Sequence, residues 1–224
     1  MTSEALTTLD STVARLHEVF IAAEPALTTL DEISGDGDFG VNLREGFSEV
    51  ADRLAAPDSP APWNTLRAVF LDEVGGTSGP LFGLLFQSLG ARATRSDSYI
   101  DALRIGIKDG LAAIQRVGEA EVGDRTMVDA LAPAVEALSG DADIAAMVSA
   151  AVDGALSTAT LRARRGRASY LGERAIGHPD PGAVGVALLL CVLAEPVSGT
   201  EISDGERVRL LHSVSWAAPE NSST

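Results

Sequence analysis

Asp31, Asp36 and Asp38 are the residues of this chain best suited to chemistry. They lie in Asp31-Glu32-Ile33-Ser34-Gly35-Asp36-Gly37-Asp38-Phe39-Gly40-Val41-Asn42, three aspartates and three glycines between stretches of helical periodicity. A glycine between Asp36 and Asp38 permits a tight turn that aims both carboxylates at one point, and Asp31 can reach that point from the end of the preceding helix. Mg²⁺ takes oxygen ligands in near-octahedral geometry and usually shares its shell between one or two carboxylates, waters and substrate phosphates. The segment therefore suggests a metal-phosphate site. Asp-Gly pairs are also ordinary turn formers, so the motif needs support from elsewhere in the chain.

Three further glycine-rich interruptions supply candidates for that support. Gly75-Gly76-Thr77-Ser78-Gly79-Pro80 leads into a helix at Leu81. Free amides and the positive dipole end of a helix start favour a phosphate, and glycine lets the backbone approach it closely. The same residues also read as a turn with Ser78 as N-cap and Pro80 in the first helical turn. Gly123-Asp124-Arg125-Thr126-Met127-Val128-Asp129 puts a hydroxyl and a thioether at another helix start. Met127 suits either the face of a purine or the core. Finally, five of the sixteen arginines fall between Arg162 and Arg174, ahead of Gly177-His178-Pro179-Asp180-Pro181-Gly182-Ala183. Arginine's fork matches phosphate oxygens. Arg162 and Arg164 read as a solvated helix end, whereas Arg167, following a glycine in a loop, is the better anion ligand.

The elements that must position these loops are helical. Apolar residues recur at helical spacing through Leu6, Leu9, Val13, Leu16 and Phe20, through Leu43, Phe47, Val50 and Leu54, and through Leu66, Val69 and Phe70. The pattern continues through Leu81, Leu84, Leu85 and Leu89, Ile100 to Ile114, Val128 to Leu138, and from Ile144 onward. The apolar run after Pro181 fits a buried helix and is too long for a typical strand. Residues 56–62, with three prolines, read as a connecting loop. A short last helix is expected from Ser203 or Asp204 as cap through Leu210 and Leu211. The spacing predicts about eight helices and no strand: one all-α domain over residues 1–216 with a loosely ordered polar tail at 217–224.

Composition sets limits on function. The chain has 224 residues, 46% hydrophobic and 4% aromatic, and carries a formal net charge of −15 with Lys108 as its one lysine. Such a surface repels nucleic acid and anionic lipid, so neither is an expected partner. Cys191 is the single cysteine, so no intrachain disulfide can form, and it reads as a small buried hydrophobe. The N-terminal residues lack a basic region followed by an apolar core, and the run from Ala183 to Ala194 falls short of the roughly 20 residues of a spanning helix. A cytoplasmic location is the expectation.

Taken together, the four motifs in order and spacing from near residue 6 to near residue 195 resemble the nucleotide-binding L subunit of dihydroxyacetone kinases. The resemblance implies a barrel of about eight antiparallel helices with ADP or ATP at one end and two Mg²⁺ ions between the phosphates and the aspartate loop. It implies Asp31, Asp36 and Asp38 as metal ligands and Asn42 as a nearby polar contact. Gly76, Thr77 and Ser78 would cradle phosphates. Leu81, Gly123, Thr126 and Met127 would line the adenine side, and Arg167, Asp180 and Gly182 would close the site, with Arg167 acting beside the aspartates in catalysis. The family further implies a separate K subunit holding the keto-sugar through a histidine, and in some members a phosphoprotein that recharges bound ADP. This chain, with only His17, His178 and His212, would be half an enzyme.

One position departs from the family, which usually has histidine where this chain has Phe39. Phenylalanine can neither donate a hydrogen bond nor carry a proton. The departure opens three readings: a different small hydroxyketone as acceptor, a different partner that contributes the missing group, and a nucleotide-binding module without turnover.

Overall fold

Helix follows helix in the computed structural model, which describes residues 3–96, 98–139, 143–170 and 172–215. The helices are α1 (Ser3–Ser34), α2 (Phe39–Leu54), α3 (Pro62–Asp72), α4 (Ser78–Ala93), α5 (Tyr99–Gly118), α6 (Val128–Ala137), α7 (Ile144–Ser157), α8 (Pro181–Ser198) and α9 (Thr200–Ser215). Single 3₁₀ turns occupy Thr158–Thr160, Arg167–Tyr170 and Gly172–Ala175. No strand occurs among the described residues, in agreement with the periodicity. Leu6 and Leu9 belong to α1, but their side chains lie outside the described residues, as does the whole tail expected at 217–224.

Each helix packs on the next from α1 to α8, and α8 returns to α1, which closes the bundle into a barrel. α9 lies over α7, α8 and α1. The C-terminal ends of α1, α3 and α5 (Ser34, Val74, Gly118) and the N-terminal starts of α2, α4, α6 and α8 (Phe39, Ser78, Val128, Pro181) all line one cleft. Consecutive helices therefore run in opposite directions. All four glycine-rich interruptions noted in the sequence contribute residues to this one end.

The low aromatic content is concentrated rather than spread. All six phenylalanines are buried and joined by ring contacts: Phe20 stacks on Phe47 at 4.4 Å, Phe47 and Phe86 each meet Phe70 at 4.9 Å, and Phe82 meets Phe39 at 6.4 Å. Such pairs add about 0.5–1.5 kcal/mol each to the burial itself. This cluster ties α1, α2, α3 and α4 together directly beneath the aspartate loop.

α8 is the central stave. Its residues from Pro181 to Ala194 are all buried, and Val184, Leu188, Leu189, Leu190 and Leu193 are fully so. By length and mean hydropathy of 1.8 it is apolar enough to cross a membrane, yet it is 78% buried among its neighbouring helices. It is the core helix of the barrel. Cys191 is fully buried within it, as expected, and its burial pushes the thiol up to about 12.

The last helix differs from expectation. α9 begins at Thr200, because Ser203 is fully buried and donates its hydroxyl to the Cys191 carbonyl at 2.8 Å instead of capping. Asp204 is likewise engaged, paired with Arg207 and with Arg15 of α1 at 3.2 Å. Arg207, 6% exposed, also pairs with Glu195 at the end of α8, so a charge network fastens α9 to the far end of the barrel.

At the near end, Asp180 caps α8 by accepting from the Ala183 amide at 2.9 Å, with Pro181 in the first turn. Burial pushes its carboxyl up to about 6 from 3.8, against the opposing pull of the Arg125 guanidinium. The folded protein thus holds this proton to higher pH than the unfolded chain does. Its stabilising contribution is complete below about pH 4 and is lost as pH rises through about 6. Asparagine keeps the cap without the proton. Melting temperatures of Asp180→Asn and wild type between about pH 4 and 7.5 should diverge in this sense, with wild type losing ground as pH rises; parallel curves would contradict it.

Candidate functional site

The aspartate loop is short because α1 runs on to Ser34 and α2 begins at Phe39. Gly37 takes φ +79°, a left-handed conformation costly for other residues, and so turns the chain between Asp36 and Asp38. Asp31, 9% exposed on the last turn of α1, accepts the Phe39 amide at 3.1 Å, which locks one end of the loop to the other. One carboxylate oxygen each from Asp31, Asp36 and Asp38 then lies within 4.8 Å of the others. Asp38 is the N-cap residue of α2 but makes no cap bond with its side chain.

These oxygens face an open cleft with a cavity volume of about 160 Å³. Opposite them stands the Gly75–Gly79 turn, where Gly76 adopts φ +75° and brings the backbone round to the start of α4. Thr77, not Ser78, is the N-cap, and it too makes no side-chain cap bond. Asn42, one turn into α2, lies between the two loops: a Cβ placed on Gly75 would stand 3.8 Å from its side-chain amide. Leu81, Thr126 and Met127 form another wall, and Gly182 sits against it, since a Cβ there would stand 3.1 Å from Asp180 Oδ2 and 3.8 Å from Met127. Met127 is 4% exposed, so it serves the core and the cleft wall at once.

Arg167 lies at the mouth with its guanidinium on Asp36, both side chains about half exposed. Arg164 is more exposed, at 71%, and pairs loosely with Asp124 at 3.8 Å. Arg162 is exposed as well, as expected of a solvated position. The cleft therefore joins an acidic turn, a glycine-rich helix start, an apolar wall and an arginine.

Of the fourteen residues singled out from the sequence, thirteen line this cleft: Asp31, Asp36, Asp38, Asn42, Gly76, Thr77, Ser78, Leu81, Thr126, Met127, Arg167, Asp180 and Gly182. Gly123 does not. Its amide donates to Asp129 Oδ1 at 2.6 Å, and the Thr126 amide donates to Oδ2 at 2.8 Å, so Asp129 winds the loop around its own carboxylate. Sequence reasoning passed over Arg165, which also lines the cleft, and Arg125, which lines it while almost fully buried. The available signal was an arginine beside a glycine turn in an acidic chain. None of the three histidines lines the cleft; His17 instead meets Ser48 at 3.1 Å between α1 and α2.

Phe39, the position of departure, places its ring below the cleft floor. The ring contacts Phe82 and crowds Gly185 of α8, where a Cβ would come within 3.1 Å of its Cζ. The aspartate loop is thus pinned from beneath by apolar packing. The donors fit a hard divalent cation, being three carboxylate oxygens gathered without nitrogen or sulfur.

Comparison with known proteins agrees with this geometry. The family model described as the DAK2 domain matches residues 33–195. The ADP-binding subunit DhaL of the PEP-dependent dihydroxyacetone kinase of Escherichia coli K12 is 38% identical over 194 residues, covering 81% of this chain and 92% of that protein. The ADP-binding subunit DhaL of PEP-dependent dihydroxyacetone kinase 2 of Listeria innocua is 43% identical over 182 residues, covering 75% and 84%. The crystal structure of the dihydroxyacetone kinase from C. freundii in complex with AMP-PNP and Mg²⁺ matches with a TM-score of 0.62 at 28% identity, covering 88% of this chain. That kinase is the longer molecule, and this chain spans 34% of it. On fold, on the match of residues 33–195 and on identity to relatives of its own length, this chain belongs to the DAK2 domain family.

Proposed function

We propose that this chain is the ADP- or ATP-binding subunit of a dihydroxyacetone-type kinase, passing a phosphoryl group to a short keto-sugar held by a separate K subunit. The observation that carries the reading is the trio Asp31, Asp36 and Asp38 facing the Gly76–Ser78 helix start across one cleft. Carboxylates on one side and unclaimed amides on the other form a clamp for a diphosphate with its cations. The relatives named as ADP-binding kinase subunits, and the AMP-PNP and Mg²⁺ bound in the crystal structure of the similar kinase, support the same assignment.

In this reading Asp31, Asp36 and Asp38 hold Mg²⁺, as two ions by the family resemblance. Held there, Mg²⁺ would supply positive charge to offset that of the phosphate oxygens. Gly76, Thr77 and Ser78 donate to the phosphates through backbone and hydroxyl groups, and Asn42 adds a side-chain amide beside them. Leu81, Thr126, Met127 and Gly182 receive the adenine. Arg167 exchanges Asp36 for the phosphate oxygens, where a positive group counters the charge of the transferring phosphoryl. The acceptor hydroxyl comes from the partner, because the chain's histidines stand away from the cleft. The phosphoryl supply is either exchangeable ATP or a phosphoprotein that recharges held ADP.

A second reading rests on Phe39. Its ring borders the cleft without a polar atom where the family usually has histidine. A nucleotide-binding module without turnover, or a kinase for another small hydroxyketone, follows from that loss. Two relatives, 35% and 36% identical, are named D-erythrulose kinase and L-erythrulose 1-kinase, so four-carbon acceptors belong in the test.

Three measurements check the proposal. Incubated with a dihydroxyacetone kinase K subunit, Mg²⁺ and ATP, or with a phosphoprotein donor and ADP, the chain should phosphorylate dihydroxyacetone or erythrulose; nucleotide binding without any product would favour the binding module. In calorimetric titrations the double substitution Asp36→Ala with Asp38→Ala should weaken Mg²⁺-dependent ADP binding by at least about 100-fold while leaving helical content unchanged. Unaltered affinity would remove the metal assignment. Arg167→Ala should cost about 10-fold or more in ADP affinity, as expected for a charge-assisted hydrogen bond, and Arg164→Ala less than about 3-fold. Equal losses would mean a diffuse field rather than a specific contact.

A further inference from the structure

Arg125 is the largest fully buried side chain among the described residues, at 1% exposure. A buried guanidinium is destabilising unless paired and fully hydrogen-bonded. Here it is incompletely satisfied. Nη2 donates to the carbonyls of Ala175 at 3.2 Å and His178 at 2.9 Å, while Nη1 stands 3.8 Å from Asp180 Oδ1, too far for a hydrogen bond. Nη1 and Nε have no hydrogen-bond partner. The residue also sits at φ +60°, a left-handed conformation that costs a non-glycine residue of order 1 kcal/mol and persists where the surroundings impose it. The surroundings that impose it are the two Asp129 hydrogen bonds on either side of Arg125.

What the guanidinium reaches accounts for its burial. The chain between α7 and α8 leaves and returns through a narrow neck, where the Gly177 amide donates to the Ala159 carbonyl at 2.7 Å and the Asp180 amide to Thr158 Oγ1 at 2.8 Å. Ala175, His178 and Asp180, the three groups facing Arg125, belong to the returning side of that neck. Arg167 is carried on the excursion between them, and lies over the mouth against Asp36. Arg125 thus joins the start of α6 to the base of the loop that bears the arginine of the site.

We infer that Arg125 is a positioning residue, whose guanidinium braces the 158–180 loop so that Arg167 is held over the nucleotide cleft. It acts through the Ala175 and His178 carbonyls and the Asp180 carboxylate, and touches no reacting atom. This rests on the nucleotide-binding reading for its consequence but not for its geometry. Removing the guanidinium alone leaves Asp180 and the Ala175 and His178 carbonyls without their partner and so costs stability whatever role Arg125 has. Only a brace adds to that cost a selective loosening of the 158–180 loop and a loss of nucleotide affinity.

The test compares Arg125→Met and Arg125→Lys with wild type. In hydrogen–deuterium exchange of nucleotide-free protein, Arg125→Met should raise exchange in residues 163–170 and 175–178 while α4 and α8 stay protected. Its affinity for Mn²⁺ alone should not fall, since freeing Arg167 from Asp36 only removes a competing cation. Its affinity for Mg²⁺-ADP should be lower by about tenfold, and Arg125→Lys should recover part of the loop protection and of the ADP affinity through an ammonium able to meet the same carbonyls. A folded Arg125→Met with wild-type exchange in the loop and wild-type ADP affinity overturns the inference. Should Arg125→Met not fold, Arg125→Lys decides: a selective loss of ADP affinity with loop exchange raised supports the brace, and equal losses in Mn²⁺ and ADP affinity overturn it. Absence of ADP binding by wild type would defeat the proposed function, while the exchange comparison, made without nucleotide, would still decide the brace.

Discussion

Mutual repulsion among carboxylates is the constraint around which this protein is arranged. Asp31, Asp36 and Asp38 bring oxygens within 4.8 Å of one another in a chain that already carries a net charge of −15. Like charges at such separations oppose folding, and the opposition grows as solvent is excluded. Arg167 answers part of it by lying on Asp36, and the Phe39 amide answers another part at Asp31. The negative potential that remains is one a divalent cation matches in charge and in ligand type.

Holding such a cluster in place requires a rigid support, and the alternating direction of the helices provides it. The aspartate turn and the Gly75–Gly79 turn are short and tied to two helix termini, so their geometry is set by the barrel and not by the loops themselves. The helix starts bring partial positive charge to the same end, opposite the carboxylates. Beneath them the six phenylalanines and the apolar α8 fill the barrel, and Phe39 belongs to both layers. A residue that lends its amide to the Asp31 carboxylate and its ring to the core links the stability of the fold to the shape of the cleft.

Much of this was legible in the sequence, for identifiable reasons. Helical periodicity marked the elements because most helices bury one face, and α8, buried all round, still showed itself by the length of its apolar run. The aspartate loop and the Gly75–Pro80 turn were legible because their chemistry is local: residue type and spacing decide where the groups can point. The start of α9 was not, because Ser203 reads as a cap until a tertiary partner, the Cys191 carbonyl, is known. Arg125 was hidden for the same reason. An arginine in an acidic chain reads as a surface residue, and only the packing of the α7–α8 connection over it reveals burial. Gly123 carried a ligand role by resemblance, whereas its amide is committed to Asp129, a contact set by the fold of the loop.

The most direct measurement is crystallographic: crystals grown with Mn²⁺ and ADP, with data collected at the manganese absorption edge. Anomalous density bounded by Asp31, Asp36 and Asp38, with the diphosphate between it and the Gly76–Ser78 turn, is the predicted result. Manganese absent from the acidic turn, or ADP lodged elsewhere on the barrel, would contradict the assignment of this cleft.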